Sequence, residues 1–251
     1  MKEILRMRNL KRGFSLLELA VALAVMGLLV SAVLGAQSLR ETAALRGVVA
    51  EVERARVGIY HFYDQYGSMP GDLANATSFW PSPTHTVTNG NNNGRIDNSG
   101  TPEFYATWEQ LVLAGLMPGP ADGSAAGIFS GTGSIPEINV NVPRSNYFHN
   151  VGISVDWLTS PPRSPVIVGN YIVVGTKDPV DNASSFLTGG AFTGLQAAEI
   201  DEKIDNRLPE FESVLSANSL NGPGECVSGA AYNTTSTTKD CLMFFMLAKD
   251  L

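Results

Sequence analysis

Between Phe14 and Ala36 the chain reads FSLLELAVALAVMGLLVSAVLGA, 23 residues in which Glu18 is the only charge. As a helix rising about 1.5 Å per residue, such a run crosses a hydrocarbon core of roughly 30 Å. Ahead of it stand Lys2, Arg6, Arg8, Lys11 and Arg12 against Glu3, a local charge of +4. That bias is expected to hold the N-terminus in the cytoplasm and leave the chain beyond about residue 40 outside. The whole chain carries −7, so residues 14–251 carry −11. An acidic body lacks the basic face that counterion release from nucleic acid requires.

Three readings of the apolar run compete. A cleaved secretory signal needs a shorter apolar region followed by a small-x-small site; Leu34-Gly35-Ala36 is a poor one, and Glu18 would lie inside the run. No cysteine follows closely enough for a lipoprotein signal. A plain signal anchor fits the length, but a lone carboxylate in hydrocarbon costs on the order of 2.5–3.5 kcal/mol. Glu18 therefore asks for a partner or for a route to the interface by snorkelling.

The stretch Lys11-Arg12-Gly13-Phe14-Ser15-Leu16-Leu17-Glu18-Leu19 resembles the type III signal of type IV prepilins and type II secretion pseudopilins. The resemblance implies cleavage by a membrane prepilin peptidase between Gly13 and Phe14, followed by N-methylation of Phe14. Glu18 then becomes the fifth residue, an assembly residue able to pair with the new amine of a neighbouring subunit. Gly27 matches the family glycine, whereas Gly35 stands where many pilins have proline. Implied partners are copies of the chain, related pilins, the peptidase and the inner-membrane assembly machinery. The implied location is a single pass in the inner membrane with a periplasmic head, and then a periplasmic pseudopilus or a surface pilus.

Beyond Ala36, apolar positions Ala44, Leu45, Val48, Val49, Val52, Ile59 and Phe62 recur near helical spacing, with charges on the other face. The helix is expected to end at Tyr66, with Gly67 in the C′ position and Pro70 barring continuation. The expected parts are a basic leader at 1–13, a transmembrane helix at 14–36, an amphipathic continuation at 37–66 and a head at 67–251. Thr101 is expected to cap a helix starting at Pro102 and closed by Gly115. Thr193 is expected to cap another over about Leu195–Asn206. Predicted strands are Ile138–Val142, Val151–Trp157, Pro165–Val168, Tyr171–Gly175 and Leu242–Leu247, with Gly169-Asn170 as a hairpin turn. The fold class is α+β: a long N-terminal helix packed on a head with an antiparallel sheet.

The only cysteines are Cys226 and Cys241. On the exported side they are expected to form a disulfide, similar to the C-terminal loop of many type IV pilins. In the run from Asn89 to Asp97, the residues Asn89, Asn91, Asn93, Arg95 (through its carbonyl) and Asp97 follow the spacing of an EF-hand calcium loop. Two departures stand against it: the first three ligands are neutral amides, and Gly100 replaces the closing Glu, with Glu103 as a substitute. The alternative is a solvated turn. No other cofactor is implied.

His61, His85 and His149 are isolated, and no nucleophile elbow or phosphate loop is present, so no enzyme is expected. Asp201, Glu202 and Asp205 read as a solvated helix face. The sequence thus points to a structural filament subunit; the alternative is a membrane-tethered binding protein or enzyme on a plain anchor. Gly13→Val is predicted to block processing, because a cleft built around a residue without Cβ rejects a branched one. A variant still trimmed by about 13 residues in its intact mass would contradict the signal.

Overall fold

The computed structural model describes residues 14–82, 86–120, 129–133, 135–159, 168–178, 180, 184–209 and 213–247. The leader, His85 and the expected strand at 165–167 lie outside them. The chain divides into two compact units, residues 1–43 and 44–251.

In the first unit, helix α1 (Leu16–Tyr66) begins, and residues 14–41 are all exposed. By length and composition this is the one helix among the described residues able to cross a membrane.

The second unit is built on the rest of α1. Leu45, Val48, Val52, Ala55, Ile59 and Phe62 fall three or four apart, so they share one stripe, and each is buried in the core. The half-exposed Tyr147 ring lies over the bare backbone at Gly47, where a Cβ would come 2.3 Å from it. Glu51 on the same face takes N–H and hydroxyl bonds from Asn146 N at 2.8 Å and Ser145 Oγ at 2.7 Å. Arg56 reaches the Met246 carbonyl at 3.2 Å. The helix stops where expected: Gly67, at φ +72°, donates its N–H to the Tyr63 carbonyl.

After the short α2 (Ala76–Phe79) comes α3 (Glu103–Leu113), then strands β1 (Val151–Leu158) and β2 (Gly169–Thr176). Helix α4 (Gly194–Ile204) is followed by β3 (Val214–Asn218), β4 (Val227–Ser228), β5 (Ala231–Tyr232) and β6 (Cys241–Met246). The antiparallel order β1-β2-β6-β3 forms the main sheet, with β4-β5 as a separate hairpin. One face of the main sheet joins the core with α1 and α3; the other carries a smaller cluster around Tyr171, Leu215 and Phe244. The fold is α+β, as the sequence implied.

Several boundaries differ, each for a local reason. Gly169 and Asn170 are not a turn but the start of β2, opposite Leu158 and Trp157. The Asn170 carboxamide is buried and tied to the loop before α3: it accepts the Ile96 N–H at 2.8 Å and donates to the Gly94 carbonyl. Residues 138–142 form a tight turn instead of a strand. Asn139 adopts φ +71° there, and the Glu137 carbonyl collects the N–H groups of residues 140, 141 and 142. Helix α3 starts one residue late, with Pro102 rather than Thr101 at the cap, because the Pro102 carbonyl accepts the first helical bonds. Thr193 does cap α4, in a full capping box with Gln196.

The sheet also contains a buried acid. Asp156 on β1 is 6% exposed and accepts a hydroxyl bond from Ser185; Tyr105 and Asp97 face it without neutralising it. Burial pushes its carboxyl up to about 7, from an ordinary 3.8. A raised folded-state pKa gives stability that is complete below about pH 4 and is lost as pH rises through 7. Melting of the full chain in detergent is therefore expected to weaken from pH 4 to pH 8. Asp156→Asn should remove at most about 4 kcal/mol of that decline; equal pH slopes for both proteins would contradict it.

Candidate functional site

Processing and assembly residues lie at the start of α1. Ser15 Oγ accepts the Glu18 N–H at 3.1 Å, and the Ser15 carbonyl accepts the Leu19 N–H at 3.2 Å. Ser15 is thus the helix N-cap and Glu18 the third helical residue, the S-x-x-E spacing of a capping box. The spacing stands in the sequence itself and gives Glu18 a local role beside its implied pairing with an amine. A carboxylate in the first turn also faces the positive end of the helix dipole. Phe14, 79% exposed, stands immediately outside the cap, and Leu16 is 92% exposed. A new amine on Phe14 would therefore arise at the same helix end as the Glu18 carboxylate. Gly13 lies outside the described residues.

The apolar surface that follows has no cover within its own unit. Leu19, Leu23, Met26, Leu29, Val33 and Leu39 are all more than half exposed, which in water would be an association surface.

Cys226 and Cys241 form the expected disulfide. It joins the residue before β4 to the first residue of β6, closing 15 residues, a restraint of roughly 3 kcal/mol in the chain-entropy description.

The Asn-rich run is a tightly tied loop. Asn91 Oδ1 accepts the Asn93 N–H at 3.0 Å, Asn93 Oδ1 the Arg95 N–H at 2.8 Å, and Asp97 Oδ1 the Ser99 N–H at 2.6 Å. Asn89 turns away to Thr77, bonded through both ends of its carboxamide. The Arg95 guanidinium lies 5.0 Å over the Trp157 ring. Two carboxylates hold the loop: Glu103, named in the sequence as a substitute for the closing Glu, and Asp72, which was missed there. Asp72 accepts the N–H groups of Asn93 and Gly94 at 2.9 and 2.8 Å. Glu103 takes those of Asn91 and Asp97 at 2.9 and 3.2 Å. Gly90 has to be glycine for this approach, since a Cβ there would sit 2.3 Å from the Asp72 carbonyl carbon. Burial raises both carboxyls, Glu103 to about 7, against the lowering effect of the N–H donors. Among the described residues, no three His, Cys, Asp or Glu side chains are grouped to hold a metal ion.

The acidic run on α4 does not form a uniformly solvated face. Asp201 is fully buried and accepts the Tyr232 hydroxyl at 2.6 Å, while Asp205 accepts the Ser213 N–H at 2.8 Å. Glu202 remains exposed and pairs with Arg207 at 2.9 Å. His61 and His149 are exposed and lie on separate elements.

Residues 8–34 match the family model described as the prokaryotic N-terminal methylation motif. This is the prepilin-type cleavage and methylation signal of type IV pilins and pseudopilins. No curated protein and no solved structure matches the chain.

Proposed function

We propose that the chain is the precursor of a structural filament subunit, in a type IV pilus or a type II secretion pseudopilus. The observation that carries the reading is the methylation signal at residues 8–34, which takes in the capped start and the exposed apolar part of α1. The peptidase cuts between Gly13 and Phe14 and the new amine is methylated. Helices of successive copies then pack their apolar faces together. The Ser15 hydroxyl accepts the Glu18 N–H, and the Phe14 amine of an adjacent copy supplies a cation for the Glu18 carboxylate. Each charge is costly alone in an apolar core, so pairing offsets the cost and sets axial register.

The competing reading, a plain anchor for a tethered binding protein or enzyme, leaves Glu18 only its local place in the first turn of α1, facing the positive end of the helix dipole. The two readings separate on Glu18→Val. The substitution removes the only charge of the apolar run, so insertion and trimming are expected to stay normal or improve. Filament yield is expected to collapse, because each junction would leave an unpaired amine in apolar surroundings, a penalty of several kcal/mol. Normal filament yield at wild-type expression would contradict the pairing.

Calcium is proposed as a ligand of the Asn-rich loop. The Oδ1 atoms of Asn91, Asn93 and Asp97 each accept one bond and retain a second lone pair. Asn91, Asn93, Asp97 and the Arg95 carbonyl would hold the ion, and Asp72 and Glu103 would supply charge nearby; Asn89 does not fit, being held by Thr77. Calorimetry of the full chain in detergent is expected to show weak binding at millimolar calcium. No heat and no melting shift would leave the loop as a turn closed by its own carboxylates.

A further inference from the structure

The chain contains three Asn-Gly steps, Asn89-Gly90, Asn93-Gly94 and Asn221-Gly222. Such a step is turn chemistry first. It also carries a latent reaction, because glycine has no Cβ to shield its nitrogen from the carboxamide of the preceding asparagine. Whether the carboxamide reaches that nitrogen depends on where the fold points it.

Two of the three carboxamides are held away. Asn89 Oδ1 accepts the Thr77 N–H at 2.9 Å, and its amide donates to Thr77 Oγ1. Gly90 is wedged against the Asp72 backbone, where a Cβ would come within 2.3 Å. The Asn221 amide donates to Asp178 Oδ2 at 2.8 Å. Asn93 is turned the other way. Its Oδ1 accepts the Arg95 N–H at 2.8 Å, an Asx turn that folds the carboxamide back over the Gly94 nitrogen. The same bond draws charge toward Oδ1 and leaves Cγ electron-poor. The Gly94 N–H points at a carboxylate, Asp72 Oδ2, at 2.8 Å. Open space surrounds the position that a Gly94 Cβ would occupy, and both residues of the step are exposed to water. Asn91 makes a similar turn with the Asn93 N–H, but its successor Asn92 has a Cβ beside its nitrogen and donates to the Asp72 carbonyl instead.

We propose that Asn93 is a self-modifying residue, deamidated by its own loop. The Gly94 nitrogen bonds to Asn93 Cγ and passes its proton to the Asp72 carboxylate. The Cγ–Nδ2 bond breaks, and the amide leaves as ammonia with the proton that Asp72 returns. Water then opens the succinimide at either carbonyl, leaving an aspartyl or an isoaspartyl residue. The net change consumes one water and releases one ammonia, with no oxidant or reductant. Nucleophile, electrophile and proton acceptor are held together by one folded loop, which replaces encounter by proximity. Each converted copy gains a negative charge on exposed surface. The isoaspartyl product also inserts a methylene between the two N–H groups that Asp72 holds, which changes their spacing. Neither filament assembly nor calcium enters this chemistry.

The test incubates the full chain in detergent with a chelator at neutral pH, in water enriched in heavy oxygen, and maps its peptides by mass spectrometry. Asn93 is expected to exchange its amide for labelled oxygen about ten-fold faster than Asn89 or Asn221. An isoaspartyl fraction is expected with it, which direct hydrolysis by water cannot give. In denaturant the three steps should convert alike. Asp72→Asn should slow Asn93 about ten-fold, whereas loss of a mere clamp would loosen the loop and leave the rate unchanged or raised. Continued protection of Asn89 reports that this variant is folded; should it be lost, the native and denatured wild-type chains decide alone. An unconverted Asn93 in the native chain, equal conversion at the three steps, no isoaspartyl product, or a folded Asp72→Asn variant that is not slowed would overturn the assignment.

Discussion

Helix α1 must satisfy two solvents along one backbone. Its first part, residues 14–36, offers apolar side chains with one carboxylate and the hydroxyls of Ser15 and Ser31, all exposed, which is an association surface. Its later part presents a narrow stripe from Leu45 to Phe62 that is fully buried. Gly47 and Glu51 show how tight that second seam is: the first makes room for the Tyr147 ring, and the second is bonded to Ser145 and Asn146. The head is organised around this stripe.

Much of the remaining structure depends on carboxylates used as acceptors for loop N–H and O–H groups. Asp72 and Glu103 hold the Asn-rich loop, Asp156 holds Ser185, and Asp201 holds Tyr232. Asp240 holds Ser219 and the Glu225 N–H. The ion pairs Glu53–Arg56, Glu137–Lys177 and Glu202–Arg207 are, by contrast, partly or wholly exposed. A head rich in glycine and long connections has many backbone donors that no sheet ladder satisfies. Buried carboxylates meet that demand, at the cost of desolvation that raises their pKa values. The negative charge of the body is therefore in part architectural.

The helix was legible in the sequence because its signals are local and strong: apolar length, then 3.6-residue periodicity, then Gly67 and Pro70. The Thr193 cap and the cysteine pair were legible for the same reason. What escaped depends on partners far away in the chain. Gly169-Asn170 has turn chemistry, but the Asn170 amide is claimed by the loop at Gly94 and Ile96, more than seventy residues earlier. Asp201 lies in a run that reads as solvated, yet Tyr232 and the sheet bury it. Strand β3 carries a short Val-Leu-Ser-Ala pattern that only its pairing with β6 defines. The calcium spacing and the approach of Glu103 were legible, whereas Asp72, which comes from an earlier loop, could not be seen without the fold.

At the candidate site itself, Gly13, Phe14 and Glu18 were named from the motif, and Ser15 was missed although its spacing to Glu18 is a helix-start signal. The central claim is that this helix start is made by proteolysis and then methylated. Mass spectrometry of the N-terminal peptide of the protein isolated from its native membranes tests it most directly. The account predicts a peptide beginning at Phe14 with one methyl group on its amine. A protein beginning at Met1, or cut anywhere other than after Gly13, would contradict it.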